Sequence, residues 1–230
     1  MDPVTNMLFS PIRIGTLELP ARLFKTATAE TRASADGFVT DAVLDFYVPM
    51  AKAGTPLIIT GNIYISRQAK SAPFQLGVDD DNKIPGLARL VGAVHAHGAR
   101  MFAQLNHCGR QVVPDFVGAR EVVSASGVKD LLTGTRPREM SLLEIHRIIE
   151  DFADAAARCQ RAGFDGVQMH SANGYLLSQF LTPYTNRRRD EYGGTLQART
   201  RFGREVYRAI RARVGPDFPV IMKMNGSDWL

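Results

Sequence analysis

Three polar side chains lie close together in one short stretch of the sequence: His170, Asn173 and Tyr175. His170 ends an apolar run typical of a buried strand, and the other two residues follow in the next loop. An imidazole and an amide can together donate two hydrogen bonds to one carbonyl oxygen, which stabilises negative charge that develops there. A phenol is a weak acid that can supply a proton to a neighbouring carbon. These residues therefore predict a site that binds a carbonyl group and protonates carbon.

The elements that must position this stretch alternate between strands and helices. Apolar runs predict strands at residues 23–29, 56–62, 100–106, 166–170 and 219–224. Periodicity and glycine stops predict helices at 41–53, 85–97 and 196–214, with another between a capping box at Ser141 and Glu144 and the stop at Gly163. Alternating units of this kind build a parallel sheet, and barrel enzymes carry their chemistry at the carboxyl ends of the strands.

Two segments fall outside this alternation. Residues 9–19 alternate around a Gly-Thr turn, which predicts a hairpin that plugs the amino end of the sheet. Residues 107–140 contain several Gly and Pro without a sustained period, which predicts an elaborated loop after the third strand. That loop starts at the same edge of the sheet as His170, so we expect it to border the site.

At this point the chain resembles the old yellow enzyme family, whose motif His-x-x-Asn-x-Tyr matches His170, Asn173 and Tyr175. The resemblance covers nearly the whole chain and continues through residues 182–202, although Ala198 stands where the family often has Asn. It implies a (β/α)8 TIM barrel that binds flavin mononucleotide (FMN) and takes hydride from NAD(P)H. It also implies that the His and Asn bind the carbonyl of an activated alkene, and that the Tyr donates the proton.

The same resemblance implies a set of flavin contacts. Gln104, in a run similar to the family's Gln-Leu-x-His-x-Gly-Arg, would contact the pyrimidine edge of the ring. Lys223 would place a positive charge near the ring, at a position that is frequently Arg in the family. The backbone of the first strand and the end of the second strand would also contact the flavin, through Ala27, Thr28, Ala29, Gly61 and Asn62. Ala29 stands where the family usually has Thr, Ser or Cys.

Two roles stay open for the residues that follow Gln104. His107 and Arg110 either contribute to the site or only brace the long loop. Cys108 is predicted to be a packed small side chain and not a nucleophile.

The sequence predicts one domain, 1–230, with five strands where a closed barrel has eight. We therefore expect a barrel truncated after the fifth strand, just before Trp229 and Leu230, with an open apolar edge unless another segment or chain covers it. A homo-oligomer is one way to cover such an edge.

Composition excludes several other classes of protein. No apolar run approaches the roughly 18 residues that a membrane span needs, and no signal sequence precedes the first element, so we expect a cytoplasmic protein. The net charge is +5, and its densest run, Arg187 to Arg189, is interpreted as a solvated loop and not as a nucleic-acid contact. His95 and His97 have the wrong helical spacing for a metal pair, and no Rossmann glycine motif is present.

Three functions are consistent with these observations. The first is an FMN-dependent ene-reductase that acts on a small activated alkene. The second is a longer flavin and iron–sulfur enzyme of the dienoyl-CoA reductase kind, with its cysteine cluster beyond Leu230. The third is a non-catalytic remnant that does not retain FMN, because barrel phosphate sites are usually built by the loops after strands seven and eight.

Overall fold

The computed structural model describes residues 3–118 and 121–227, with side chains from residue 6 onward. Four strands form a parallel sheet: β3 (Leu57–Tyr64), β4 (Arg100–Asn106), β7 (Gly166–Ser171) and β8 (Val220–Met224), which are neighbours in that order. The four longest helices pack against this sheet: α2 (Asp41–Lys52), α3 (Ile84–His95), α5 (Leu142–Arg161) and α8 (Arg201–Val214). From β3 onward, strands and helices alternate as predicted. Trp229 and Leu230, which we predicted to follow the last strand, lie outside the described residues.

The predicted first strand, 23–29, is wrong as a strand. Only Lys25 pairs with β3, through its N–H to Leu57 O at 2.9 Å and its carbonyl from Ile59 N at 3.0 Å. The chain then passes across β3 at Gly61, where a Cβ would lie 2.7 Å from the carbonyl oxygen of Thr28. Because residues 28–30 lie against the face of Gly61, the parallel ladder does not continue beyond Lys25.

The predicted helix at 196–214 is also wrong in one respect, because it is two helices. Helix α7 (Leu196–Arg199) ends at Thr200, and α8 begins at Arg201. Thr195 caps α7 by accepting a hydrogen bond from Ala198 N at 3.2 Å. The capping box predicted at the start of α5 is confirmed, with Ser141 Oγ accepting from Glu144 N and the Glu144 carboxylate accepting from Ser141 N.

The short elements complete the chain. The helix α1 spans Pro3–Leu8, and the predicted hairpin is confirmed as β1 (Ile12–Ile14) and β2 (Leu17–Leu19). Leu19 packs with Leu57, Ile59 and Phe102, which lie in the first half of their strands, so the hairpin covers the amino end of the sheet. The long loop contains α4 (Pro114–Val117), β5 (Val123–Ser124) and β6 (Arg138–Glu139), and α6 (Leu176–Leu181) follows β7.

Both ends of the sheet expose apolar side chains. At one end Leu23 is 41% exposed and Phe24 is 51% exposed, and at the other Met222 is 38% exposed and Met224 is 59% exposed. Within the described residues, β8 pairs only with β7. Within these residues the outer side of β8 and the segment around Lys25 make no further strand pairing, and the predicted open apolar edge of a truncated barrel stays a prediction.

Candidate active site

A cavity of about 300 Å³ opens at the carboxyl ends of the four strands. It is lined by residues from the first segment, from the strand ends and from the loop after β7, namely Ala27, Ala29, Asn62, Gln104, Gln111, His170, Asn173, Tyr175 and Lys223. All three predicted catalytic residues and five of the seven predicted cofactor contacts therefore line one cavity. Sequence reasoning missed Gln111.

His170 is held near the end of β7 and is 5% exposed. Lys223 lies opposite it on β8, in parallel register. Burial, with a smaller contribution from the Lys223 charge, lowers the pKa of His170 to about 4. At neutral pH the ring is uncharged and keeps one N–H to donate. Its Nδ1 is buried without a hydrogen-bond partner among the described residues, so this ring has bonding capacity that a ligand could use.

Asn173 is presented by a strained turn. Its φ is +58°, in the left-handed region, and Gly174 follows with φ +79°. In the orientation that gives its amide N and O atoms suitable partners, Gln111 donates from its amide nitrogen to Asn173 O at 2.6 Å and to Gly174 O at 3.2 Å. Gln179 also donates to Gly174 O at 2.6 Å. Two side-chain amides thus hold the turn, and a left-handed non-glycine residue maintained in this way is characteristic of functional sites.

Tyr175 stands beside His170, with ring centroids 4.8 Å apart and an interplanar angle of 66°. Its side chain lines a second cavity, of about 220 Å³, together with Asn62 and Ser71. Burial raises the pKa of Tyr175, and the polar side chains of Asn62 and Ser71 act in the opposite direction. The phenol is therefore protonated at neutral pH, as a proton donor must be.

Gln104 is 2% exposed, and its position is set by two hydrogen bonds. Its Nε2 donates to Gln168 Oε1 at 2.6 Å, and its backbone N–H donates to Thr60 Oγ1 at 3.0 Å. A buried amide fixed in this way presents a defined polar edge to the cavity.

Two of the predicted cofactor contacts, Thr28 and Gly61, do not line the cavity. The Thr28 hydroxyl donates to Thr26 O at 3.4 Å, on an exposed part of the segment. Gly61 packs against Thr28, and because glycine has no side chain the carbonyl oxygen of Thr28 can approach it closely. Gly61 therefore serves the close approach of the two backbones, and a flavin contact for either residue stays a prediction.

The residues after Gln104 brace the long loop. Arg110 is 7% exposed and donates from Nη1 to Val128 O at 3.1 Å and to Lys129 O at 2.9 Å. The Nδ1 atom of His107 accepts from Gly109 N at 3.0 Å, and burial lowers the pKa of His107 to about 3. Of the two roles left open for this pair, the contacts favour the structural one. Cys108 is buried, and burial raises its thiol pKa to about 12, which confirms the prediction of a packed side chain.

Gln179 is a second residue that sequence reasoning missed. It is 1% exposed in α6, where Nε2 donates to Cys108 O at 3.1 Å and Oε1 accepts from Ser124 Oγ at 2.8 Å. It therefore ties the loop after β4 to the loop after β7, and so joins the two sources of site residues. The available signal was a glutamine within the largely apolar run Leu176 to Leu181.

Two interpretations concern residues outside the cavity. The solvated loop expected at Arg187 to Arg189 is wrong for Arg188, which is 5% exposed and donates to Met140 O at 2.7 Å and to both oxygens of Asp190. His95 hydrogen-bonds with Asp165 at 2.7 Å. No cluster of three or more metal-binding side chains occurs in residues 3–118 and 121–227.

In the same ranges, no helix has the length and apolar character needed to cross a bilayer.

The chain has a parallel α/β sheet with a polar cavity at its carboxyl edge. Solved structures of α/β enzymes show the same class of fold. An old yellow enzyme homologue from Zymomonas mobilis superposes with a TM-score of 0.86 at 32% identity, over 94% of this chain and 62% of that chain. Such neighbours are TIM-barrel enzymes, so the α/β barrel class is confirmed, while truncation after a fifth strand stays a prediction.

The chain belongs to the NADH:flavin oxidoreductase / NADH oxidase family, whose model matches residues 7–229. It is 40% identical to an NADH oxidase of Thermoanaerobacter brockii over 97% of this chain and 34% of the relative. It is 35% identical to an NADPH dehydrogenase of Listeria monocytogenes over 84% of this chain and 56% of the relative. The chain thus spans about a third to just over half the length of these relatives. The predictions of FMN, NAD(P)H and enzymatic function are confirmed at the level of the family.

Proposed function

We propose that the protein uses FMN and NAD(P)H to reduce the carbon–carbon double bond of an α,β-unsaturated carbonyl compound or a similar activated alkene. The observation that carries the proposal is the convergence of His170, Asn173 and Tyr175 on one cavity with Gln104 and Lys223. Homologues named for the reduction of acrylate and cinnamate support the substrate class.

The cavity residues fit the ring end of a flavin. Ala27 and Ala29 contribute only small side chains, which leaves room for a flat ring against the first segment. Gln104 offers an amide that can pair with the pyrimidine edge, and Lys223 offers a positive charge for its oxygen. A volume of about 300 Å³ is at the small end of the range for ligand sites, roughly 300–1,000 Å³. When bound, FMN supplies the hydride that the alkene receives.

The chain's own residues would bind and polarise the substrate. His170, uncharged at neutral pH, donates its N–H to the substrate carbonyl oxygen, and the Asn173 amide donates a second hydrogen bond. These donors stabilise the negative charge that develops on the oxygen as the β-carbon is reduced. Tyr175 then transfers its phenolic proton to the α-carbon, which completes the addition of two hydrogens.

A double variant tests these roles. In protein loaded with FMN, His170→Ala with Asn173→Ala is expected to lower enone reduction by at least about a thousandfold, because each such donor is usually worth roughly 10²–10³ in rate. Flavin absorbance per chain should stay at the wild-type value.

The matched control is His97→Ala with Asn82→Ala, which removes the same residue types from exposed positions that do not line the cavity. The control should reduce the enone at the wild-type rate. Unchanged turnover in the His170/Asn173 variant would overturn the role assignment. A chain that desalts colourless after incubation with FMN would instead support the non-catalytic alternative.

A second candidate function is the longer flavin and iron–sulfur enzyme. It is favoured by one observation, namely that the chain covers only 34% of a relative such as the T. brockii NADH oxidase. Closely spaced cysteines in coding sequence downstream of Leu230, with iron in the purified full-length protein, would establish it. Their absence would leave the simpler ene-reductase.

A cytoplasmic location is part of the proposal. Cys108 and Cys159 are both buried free thiols, which suits a reducing compartment. Cell fractionation with a specific antibody tests this, and recovery of the protein outside the cytoplasmic fraction would contradict it.

A further inference from the structure

The cavity that carries the proposed chemistry continues into the second cavity. The two share four lining residues: Ala29, Asn62, Gln111 and Tyr175. The second cavity has a volume of about 220 Å³. A dry apolar cavity of about 150 Å³ can hold a benzene ring, so there is space here for a group of that size. A ligand in the first cavity can therefore extend past Tyr175 into the second.

The surface that the second cavity offers to a ligand is largely apolar. Its apolar side chains come from the first segment, from the segment after β3 and from the long loop, namely Ala29, Ala72, Val112, Val113, Phe116 and Leu132. The amides of Gln75 and Gln111 also line it, but both already form hydrogen bonds with other groups of the protein. Because these amides are satisfied, an apolar ligand group leaves neither of them unpaired.

The charges around this cavity disfavour an anionic ligand group. Among the described residues that line it, none is basic, and Glu30 is the one carboxylate. Oε2 of Glu30 accepts a hydrogen bond from the Tyr47 hydroxyl at 3.0 Å and lies against Gly61, and neither of those residues lines the cavity. An anionic group placed here would therefore lose its hydration without gaining a partner of opposite charge.

Leu132 lies at the opening of the cavity, on a turn that is held in place. It is 83% exposed. Oδ1 of the buried Asp130 accepts from Leu132 N at 3.1 Å and from Thr133 N at 2.8 Å, and Oδ2 lies 3.5 Å from Nε of the buried Arg110. Phe116 lines the same cavity from α4 and is 67% exposed. Large apolar side chains that a fixed backbone holds in water beside a cavity indicate an interaction site.

We propose that the second cavity binds an uncharged apolar substituent on the alkene of the substrate, of about the size of a phenyl ring, and that Phe116 and Leu132 determine this specificity. The inference rests on the proposed function, in which the alkene lies beside Tyr175. Because Tyr175 lines both cavities, a substituent on the alkene continues directly into the second one. The substrate class is thereby narrowed to activated alkenes that carry an aryl or alkyl group.

The direct test compares two saturated ketones that differ by one phenyl ring, benzylacetone and butanone. Calorimetric titration of the FMN-loaded protein gives a dissociation constant for each ketone, and no turnover is needed. The wild type should bind benzylacetone at least about tenfold more tightly, which is the low end of what burial of a Phe-sized group contributes. Equal affinities for the two ketones would overturn the proposal.

Substitutions in the long loop show where the ring binds. Leu132→Ala and Phe116→Ala should each lower the preference for benzylacetone about fivefold, the effect of losing roughly 40 Å² of apolar contact. The matched control is Leu131→Ala, because Leu131 is 80% exposed on the same turn but does not line the cavity. The control should keep the wild-type preference. An unchanged preference in Leu132→Ala, or an equal loss in Leu131→Ala, would refute the assignment.

A substitution on another wall keeps the test independent of the long loop. Ala72 lies in the segment after β3, is half-buried and lines the cavity. In Ala72→Leu the larger side chain takes up part of the volume, so the preference for benzylacetone should fall at least about fivefold. A wild-type preference in this variant would mean that the ring does not enter the second cavity.

Failure of the proposed function would look different from failure of this inference. A protein that shows the expected ketone preferences but reduces neither benzylideneacetone nor methyl vinyl ketone would contradict the reaction and support the binding site. A protein that reduces both enones, with the same ketone preference in Leu132→Ala as in the wild type, would contradict the binding site alone.

Discussion

The centre of the sheet and its two ends contribute to the same cavity in different ways. At the centre, the loops after β4 and β7 are bound to each other by Gln179, whose amide makes hydrogen bonds to Cys108 O, Gly174 O and Ser124 Oγ. At the ends, the cavity is lined by Ala27 and Ala29 on one side and by Lys223 on the other, next to apolar side chains that are 38–59% exposed.

The difference separates two tasks. The residues proposed to act on substrate lie in the centre, where buried hydrogen bonds fix their geometry within this chain. The residues at the ends are proposed to hold the flavin ring, and their surroundings are only partly packed. We therefore expect substitutions in the centre to affect stability and geometry strongly, and substitutions at the ends to have smaller effects. The predictions below test this ranking.

The largest effect is expected for Gln179→Leu. The substitution leaves the buried carbonyl of Cys108 and the buried Ser124 hydroxyl without this amide, and each unsatisfied buried group costs about 1–3 kcal/mol. We expect the free energy of unfolding to fall by about 4 kcal/mol, measured by urea unfolding. The control is Gln160→Leu, at an exposed residue whose amide makes one hydrogen bond, to Val214 O. Equal losses of unfolding free energy in the two variants would contradict the account in which buried hydrogen bonds fix the centre of the sheet.

A smaller effect is expected for Gly109→Ala, measured against Gly134→Ala. Both glycines have positive φ, +57° and +74°, so alanine is strained at both, by about 1–2 kcal/mol. At Gly109 the new Cβ would also lie 2.6 Å from Cδ of Gln179, whereas at Gly134 it would meet nothing within 4 Å. Urea unfolding should show Gly109→Ala to be the more destabilising by about 2 kcal/mol, the usual scale of overpacking. Equal values would mean that Gln179 can move, and that the centre is less rigid than proposed.

Acid should destabilise the centre through two buried histidines. Burial lowers the pKa of His107 to about 3 and that of His170 to about 4, against about 6.5 when unfolded. The unfolded state therefore binds more protons below pH 6.5, so stability falls as the pH falls through that value. Between pH 6.5 and 5 we expect a loss of about 1.5 kcal/mol per histidine.

Urea unfolding at several pH values measures this slope. His107→Gln should remove about half of it, and His97→Gln, at an exposed residue, should leave it unchanged. An unaltered slope in His107→Gln would show that the folded protein accommodates the protonated His107 ring.

The smallest effect is expected for Lys223, at one end of the sheet, on the pKa of His170 in the centre. The Lys223 charge adds to burial in lowering the pKa of His170, so Lys223→Met should raise that pKa above about 4. Burial is the larger cause, and the imidazole should still be uncharged at neutral pH. An NMR titration of the His170 ring measures the shift. A pKa that does not rise would mean that Lys223 is directed away from the ring and from the site that it is proposed to serve.

Much of this arrangement could be predicted from the sequence. The apolar runs at β3, β4, β7 and β8 and the stops of the helices are local patterns, and each predicts an element because burial and periodicity coincide. Parallel strands place their carboxyl ends at one edge, so His170, Gln104 and Lys223 could be brought together before any contact was known.

The remaining features depend on contacts between distant segments. The run 23–29 is apolar enough for a strand, but the approach of Thr28 and Glu30 to Gly61 decides its path. From the sequence alone Arg188 is expected at the surface. Its partners, the carbonyl of Met140 and the carboxylate of Asp190, are evident only in the structure. The roles of Gln111 and Gln179 come from partners in other loops, and a single sequence carries no direct signal of such partners.

The measurement that tests the central comparison most directly is amide hydrogen exchange of the 230-residue chain, followed by mass spectrometry. Peptides that cover residues 104–112 and 166–181 should exchange slowly, because their backbone groups belong to the bonded centre. Peptides that cover 23–31 and 220–227 should exchange faster, because they form the ends of the sheet. Exchange at equal rates in all four regions, or faster exchange in the centre, would contradict the account of a site whose substrate half is fixed by this chain alone.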